Sequence, residues 1–395
     1  MVLVSFDGMR WDAPARADAP NLRRLARAGA EAARGLVPPF PASTFPAHAT
    51  LVTGAYPDRH GIVNNEFLDR ERGLFKKDDD ASWLLREPLW ATAERQGVRA
   101  AVYHWVCAGA SWRGVAPSIR VAFDPGPPDS EAVDRVIDWL GAGGPGRPRL
   151  ILAYLHGPDA AGHREGALSR AVLDEVARCD RLVGRLLQAL DRLGRPVALL
   201  LVSDHGMSDV TTPIDLRRLL AGAVPGASAI GIGGASNIYC PRPAACGAAE
   251  SILSRVPGLT VYRRDDLPPD LHYRLAARSG DLVAVAPRGS YFADREPRRG
   301  PRPRGMHGYR PEEPEMRGIF YAWGAGIRQG SRPETVRMID IDPLICRLLG
   351  IEPPAGMDGR VPEELLVMPA GQSAAKGRTG PPRPPPAPVG PDGPP

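Results

Sequence analysis

Along much of the chain, short runs in which nearly every residue is apolar alternate with longer stretches of helical periodicity. MVLVSF precedes APNLRRLARAGAEA, PLWATAERQGV precedes RAAVYHW, and RLILAYL precedes SRAVLDEVARCDRLVGRLLQALDRLG and then PVALLLVSD. A strand apolar at every position is buried on both faces, the condition of a parallel sheet covered by helices on either side. The alternation predicts an α/β fold with a central, mostly parallel sheet and helices on both faces. The clearest helix spans about residues 169–193, where Leu173, Val176, Val183, Leu186, Leu187 and Leu190 recur at helical period and Gly194 supplies the stop.

From about residue 209 to 303 the pattern turns irregular and rich in Gly, Pro and Arg. We read this stretch as a small inserted subdomain, with strand character returning in LVAVA and GIFYAWG. Residues 369–395 are rich in Pro and Gly with little apolar to bury, which predicts a disordered tail after a catalytic domain of residues 1–368.

Composition narrows the function classes. The 395 residues are 43% hydrophobic, enough for a large core. Fifty basic side chains against 45 acidic ones leave a net charge of +5, too slight for a nucleic-acid platform or a membrane-binding surface. No run of about 18 apolar residues predicts a spanning helix. MVLVSFDG reads as a buried strand and not as a leader, so the expected compartment is the cytoplasm, or the periplasm or exterior if a leader precedes the given start. Cys107, Cys179, Cys240, Cys246 and Cys346 have no C-x-x-C spacing, and the odd count predicts buried free thiols, neither a disulfide framework nor a thiolate metal site.

The chemistry gathers where strands end. VSFDG leaves a strand at Asp7, LAYLHGPDAAGH leaves one with Asp159 and His163, LLVSDHGM leaves one with Asp204 and His205, and RGMHGYR adds His307. In open α/β sheets these ends form the ligand crevice, so residues distant in sequence converge there. Any one Asp-Gly or lone His is ordinary turn or surface chemistry. Three Asp and three His together are the donor composition of a two-metal site, and imidazole beside carboxylate suits zinc better than magnesium, with manganese or iron as other possibilities. Two such ions stabilise the attacking and leaving oxygens of an in-line displacement at phosphorus. FPASTFPAHATLVTG then offers hydroxyls, Ser43 and Thr44 among them, that need such activation to act as nucleophiles.

Taken in order, VSFDGMR, TFPAHATLVTGAYPDRHGIVNNEF, EPLWATAERQG, YLHGPDAAGH, VSDHGM and MHGYRPEEPEMRGIFYAWG resemble the motifs of the nucleotide pyrophosphatase/phosphodiesterase family of the alkaline phosphatase superfamily, over roughly residues 1–352. The resemblance implies an alkaline phosphatase-like fold and two zinc ions per chain, one on Asp159, His163 and His307, the other on Asp7, Asp204, His205 and Thr44. It implies that Thr44 is the nucleophile and passes through a phosphothreonine intermediate, and that the Asn65 amide donates to a non-bridging phosphoryl oxygen. It further implies that Phe45 and Tyr154 sandwich a nucleotide base, the substrate being a small-molecule phosphodiester or nucleotide. Ala47 stands where the family usually has Asn, which bears on local loop structure.

A sulfatase would need a C-x-P-x-R context that no cysteine here has. A phosphomonoesterase, a phosphonate hydrolase or a phospholipid-headgroup hydrolase of the same superfamily stays open as an alternative. A catalytically silent metal-binding protein is disfavoured by the complete donor set with Thr44. GIGGAS, residues 231–236, lacks the last glycine of a dinucleotide loop and reads as an ordinary turn.

Overall fold

The computed structural model describes residues 1–293 and 301–367, so the Pro-rich tail expected over 369–395 lies outside the described residues. A seven-stranded sheet forms the centre: β1 (Val2–Phe6), β2 (Ala30–Glu31), β3 (Ala100–Tyr103), β4 (Ile119–Val121), β5 (Leu150–Leu155), β6 (Ala198–Val202) and β7 (Phe320–Gly324). Their spatial order is β2-β7-β6-β1-β5-β3-β4. β1 pairs in parallel with β5 and β6, with Ser5 opposite both Tyr154 and Val202, while β7 runs antiparallel to β6.

The all-apolar strands are buried as their composition requires. Leu3, Val102, Leu152 and Leu200 enter the core on one face, and Val2, Val4, Ala101, Ile151 and Leu199 enter the core on the other. Helix Arg170–Arg192 covers the second face; the Ser169 hydroxyl caps it by accepting from the Val172 amide, and Gly194 follows in the left-handed region at φ 60°. Leu173 is only half-buried, and Val172, Cys179 and Asp180 join the buried stripe instead. Asp180 is tolerated there because its carboxylate accepts from the amides of Asn21 at 3.2 Å and Leu22 at 2.8 Å, capping helix Pro20–Ala28.

Within the stretch expected to be irregular, the described residues up to 293 form regular structure. They carry a second, antiparallel sheet whose strands lie in the order Ser228–Ile230, Ala235–Tyr239, Leu282–Val285, Thr260–Arg263. With helix Pro243–Leu253 it closes a core of its own around Leu216, Ile238, Leu253, Leu282 and Phe292. Strands this short, separated by Gly and Pro turns, carry too few positions to show a period. The cysteine expectation is corrected in part: Cys240 and Cys246 are joined by a disulfide, because the turn into helix Pro243–Leu253 brings their Cα atoms to 5.6 Å. Cys107, Cys179 and Cys346 are buried free thiols.

Candidate active site

The strand ends of the central sheet deliver the predicted donors to one place. Asp7 follows β1, Asp204 and His205 follow β6, and Asp159 opens helix Asp159–Glu165 just after β5, with His163 one turn along the same face. His307 follows the short strand Gly305–Met306, and Thr44 is the first residue of helix Thr44–Thr53. Two glycines allow the close approach of β1 and β5. A Cβ on Gly157 would lie 2.5 Å from the Asp7 carbonyl, and one on Gly8, at φ 68°, would lie 2.8 Å from the Asp159 Cα.

The donors fall into two sets, Asp159 with His163 and His307, and Asp7 with Asp204 and His205; within each, the ligand atoms lie within 4.8 Å of one another. In each imidazole Nδ1 faces a carbonyl oxygen, Gly305 for His163 at 2.9 Å, Gly206 for His205 at 2.9 Å and Ala42 for His307 at 3.1 Å. A carbonyl can only accept, so Nδ1 donates and Nε2 keeps its lone pair for a metal. Asp204 repeats this division. Asp204 Oδ1 accepts from the amides of Gly8 at 3.1 Å and His205 at 2.9 Å, leaving Oδ2 without a partner; Asp7 Oδ1 and Asp159 Oδ1 are likewise buried and unpartnered. The free atoms converge: His205 Nε2 lies 3.4 Å from Asp7 Oδ1, 3.3 Å from Asp204 Oδ2 and 3.4 Å from the Thr44 hydroxyl.

Burial pushes the carboxyls of Asp7, Asp159 and Asp204 up, Asp204 well above the usual range, with the adjacent Asp7 charge adding to the effect. Burial likewise pushes His205 down to about 4 and His307 well below the usual imidazole range. Protein alone disfavours three buried carboxylates with orphaned oxygens, and bound cations reverse that preference. The residues present therefore fit a pair of metal ions.

Asn65 is 7% exposed and aimed by its neighbours. Its Oδ1 accepts from the Phe45 amide at 2.8 Å, which leaves Nδ2 as the free end, and its own amide donates to Asn64 Oδ1 at 2.8 Å. Phe45 is half-buried, with Phe75 edge-on at 5.6 Å. Tyr154 departs from the expected base-stacking role. It is 8% exposed, its ring meets that of His48 at 5.1 Å, and its hydroxyl donates to Asp7 Oδ2 at 2.6 Å, so it has almost no free face to offer a base. The aromatic ring with an open face is Phe123, 49% exposed and 6.2 Å from Tyr154.

Sequence reasoning missed four further features. His48 is fully buried, donates from Nδ1 to the Thr44 carbonyl at 2.8 Å and meets the Ser5 hydroxyl through Nε2 at 2.9 Å, so it ties helix Thr44–Thr53 to β1. Its spacing of four from Thr44 within one helix was the available signal. His156 is raised by its contact with Asp129, which also takes Arg178 at 2.7 Å; residues this far apart give no local signal. Phe123 sits beyond β4 with no motif around it. The GIGGAS turn also supports the site, since the Gly234 amide donates to the His307 carbonyl at 2.9 Å and a Cβ on Gly233 would lie 2.5 Å from that oxygen. A separate cavity of about 280 Å³ lies at the far end of helix Thr44–Thr53, beside Thr53, Trp112 and Met357, and no residue of either donor set lines it.

Comparison with known proteins identifies the family. The model of the type I phosphodiesterase/nucleotide pyrophosphatase family matches residues 1–310. An uncharacterized pyrophosphatase/phosphodiesterase of Schizosaccharomyces pombe is 30% identical over 355 residues, covering 83% of this chain and 72% of that protein. Several longer relatives are matched over only 38% to 48% of their own length. Human ectonucleotide pyrophosphatase/phosphodiesterase 5 superposes with a TM-score of 0.84 at 27% identity, covering 91% of this chain and 97% of that one. Its murine counterpart, described as inactive through a Thr-to-Ala change and in complex with AMP, superposes with a TM-score of 0.83 at 27% identity, over 90% and 96% of the two chains. Among the described residues no helix is long and apolar enough to cross a membrane. The chain belongs to the type I phosphodiesterase/nucleotide pyrophosphatase family, hydrolases of phosphodiester and pyrophosphate bonds.

Proposed function

We propose that the protein is a zinc-dependent phosphodiesterase and nucleotide pyrophosphatase that works through a phosphothreonine on Thr44. The observation that carries this reading is that the unpartnered donor atoms of the Asp7, Asp204 and His205 set converge with His205 Nε2 3.4 Å from the Thr44 hydroxyl, and that the second set lies beside it, its His307 ring stacked on His205 at 3.7 Å. Three carboxylates against two divalent ions leave a single positive charge, which matches the single negative charge of a phosphodiester. When bound, the ions supply the charge that lowers the pKa of the Thr44 hydroxyl and neutralises the leaving oxygen.

Thr44 Oγ1 attacks phosphorus as the leaving group departs on the opposite side. Water then attacks the phosphothreonine in a second in-line step, returns Thr44 to its hydroxyl form and gives net retention at phosphorus. Asn65 Nδ2, oriented by the Phe45 amide, donates to a non-bridging oxygen as charge grows there. Phe45, next to Thr44, and the exposed ring of Phe123 are the aromatic faces offered to a nucleoside in this reading, and the AMP complex of the murine relative supports a nucleotide as the ligand class.

The test is a substrate panel on the zinc-loaded enzyme. The nitrophenyl diester of thymidine monophosphate should be hydrolysed with kcat/KM at least about tenfold above that for nitrophenyl phosphate. Preference for the monoester would move the assignment to a phosphomonoesterase.

A further inference from the structure

Five of the six Asp and His donors, Asp159 being the exception, have one atom free and another tied down, and the ties are not alike. Three imidazoles are held by backbone carbonyls, and Asp204 is held by the amides of Gly8 and His205. Asp7 is different. Among the described residues its carboxylate has one hydrogen-bond partner, the hydroxyl of Tyr154, donated to Oδ2 at 2.6 Å while Oδ1 is left unpartnered.

The position of that hydroxyl follows from the sheet. Tyr154 stands in register with Ser5 on the neighbouring parallel strand, two residues before Asp7, so a long side chain leaning along β5 reaches the end of β1. The ring is fixed by His48, which also holds the Thr44 carbonyl, so the hydroxyl has little freedom to leave Asp7.

We propose that Tyr154 is a positioning residue of the metal centre, holding Asp7 Oδ2 so that Asp7 presents Oδ1 alone to the ion it shares with Asp204 and His205. Without the hydroxyl, Asp7 can rotate, chelate through both oxygens or turn away. Partners of this kind are worth about ten- to a hundredfold in metal affinity. The inference rests on the two-ion reading given above.

The test uses the zinc-loaded full chain and an equilibrium competition with a chromophoric chelator. His163→Ala disables one set and leaves the other, so the remaining ion reports on Asp7; Asp204→Asn disables the Asp7 set. Adding Tyr154→Phe, which keeps the ring, should weaken zinc about ten- to a hundredfold in the His163→Ala background and change it by less than about twofold in the Asp204→Asn background. Unchanged affinity in the first background overturns the proposal. So do equal losses in both backgrounds, or a metal-stripped Tyr154→Phe protein that melts well below the stripped wild type, since each would make Tyr154 a packing residue. A wild type that binds no zinc would instead remove the two-ion reading beneath it, and this inference with it.

Discussion

Replacing Asn65 separates orientation from chemistry, because its two amide ends do different things. Asn65 Oδ1 is taken by the Phe45 amide at 2.8 Å, and Nδ2 is free to meet a phosphoryl oxygen beside Thr44. Asn65→Ala removes both ends. The loss of one donor aimed at developing charge costs about 10²–10³ in kcat, or about 2.7–4 kcal/mol. The orphaned Phe45 amide sits in the first turn of helix Thr44–Thr53, where the side chain of Asn65 stands in for a capping group, so some loosening of Thr44 adds to that cost. Asn65→Asp keeps the acceptor for Phe45 and the shape of the side chain, but turns the donor into a second anionic oxygen. Two unit charges ~4 Å apart repel by about 4 kcal/mol at an effective dielectric of about 20, a value the bound ions will reduce. The near-isosteric variant should therefore be the worse enzyme, with kcat at least about tenfold below that of Asn65→Ala. Steady-state kcat and KM on a nucleotide diester, with zinc content measured in the same samples, make the test. An Asp variant as active as the Ala variant, at equal zinc, would refute the assignment of Nδ2 as the donor.

Two further outcomes follow from single residues. Thr44→Ala should lower turnover by several orders of magnitude with the fold intact, while Ser43→Ala, which removes a buried hydroxyl that does not face His205, should do far less; the reverse ranking in kcat would displace the nucleophile by one position. His60 is buried and pushed down from 6.5 to about 3 by desolvation, then by Arg278; its Nδ1 accepts from the Ile62 amide at 3.1 Å and its Nε2 meets the Thr50 hydroxyl at 3.0 Å, so it is held neutral. Because the unfolded state binds the extra proton first, stability from His60 is complete above 6.5 and is lost as pH falls from there toward about 3, at up to ~1.4 kcal/mol per unit. Denaturant titrations should give a shallower pH slope for His60→Gln than for wild type in that window, and parallel slopes would show that His60 titrates normally.

The parts of the fold legible in the sequence were those whose residues state their environment without help. β1, β5 and β6 are apolar at every position but Ser5, a pattern that a sheet buried on both faces satisfies, and each is followed within a few residues by polar side chains that the topology then gathers. The directions of side chains were not legible. That Tyr154 turns its hydroxyl to Asp7 depends on the β1–β5 register, and register is a property of the pair, not of either strand. Of the second sheet only Leu282–Val285 was legible, in LVAVA; the other strands escaped because they are three to five residues long and packed on a small separate core. The Cys240–Cys246 bridge and the His156–Asp129 contact escaped for the same reason: each needs a turn or a helix to bring its partners together.

The central claim is that the two Asp/His sets hold two ions that serve one threonine. Its most direct test is elemental analysis of the purified protein in parallel with diesterase activity, for the wild type, His163→Ala and Asp204→Asn. The account predicts close to two zinc ions per chain for the wild type, close to one for each variant, and activity that disappears on chelation and returns with added zinc. A wild-type protein that is fully active with no bound transition metal, and indifferent to a strong chelator, would contradict it.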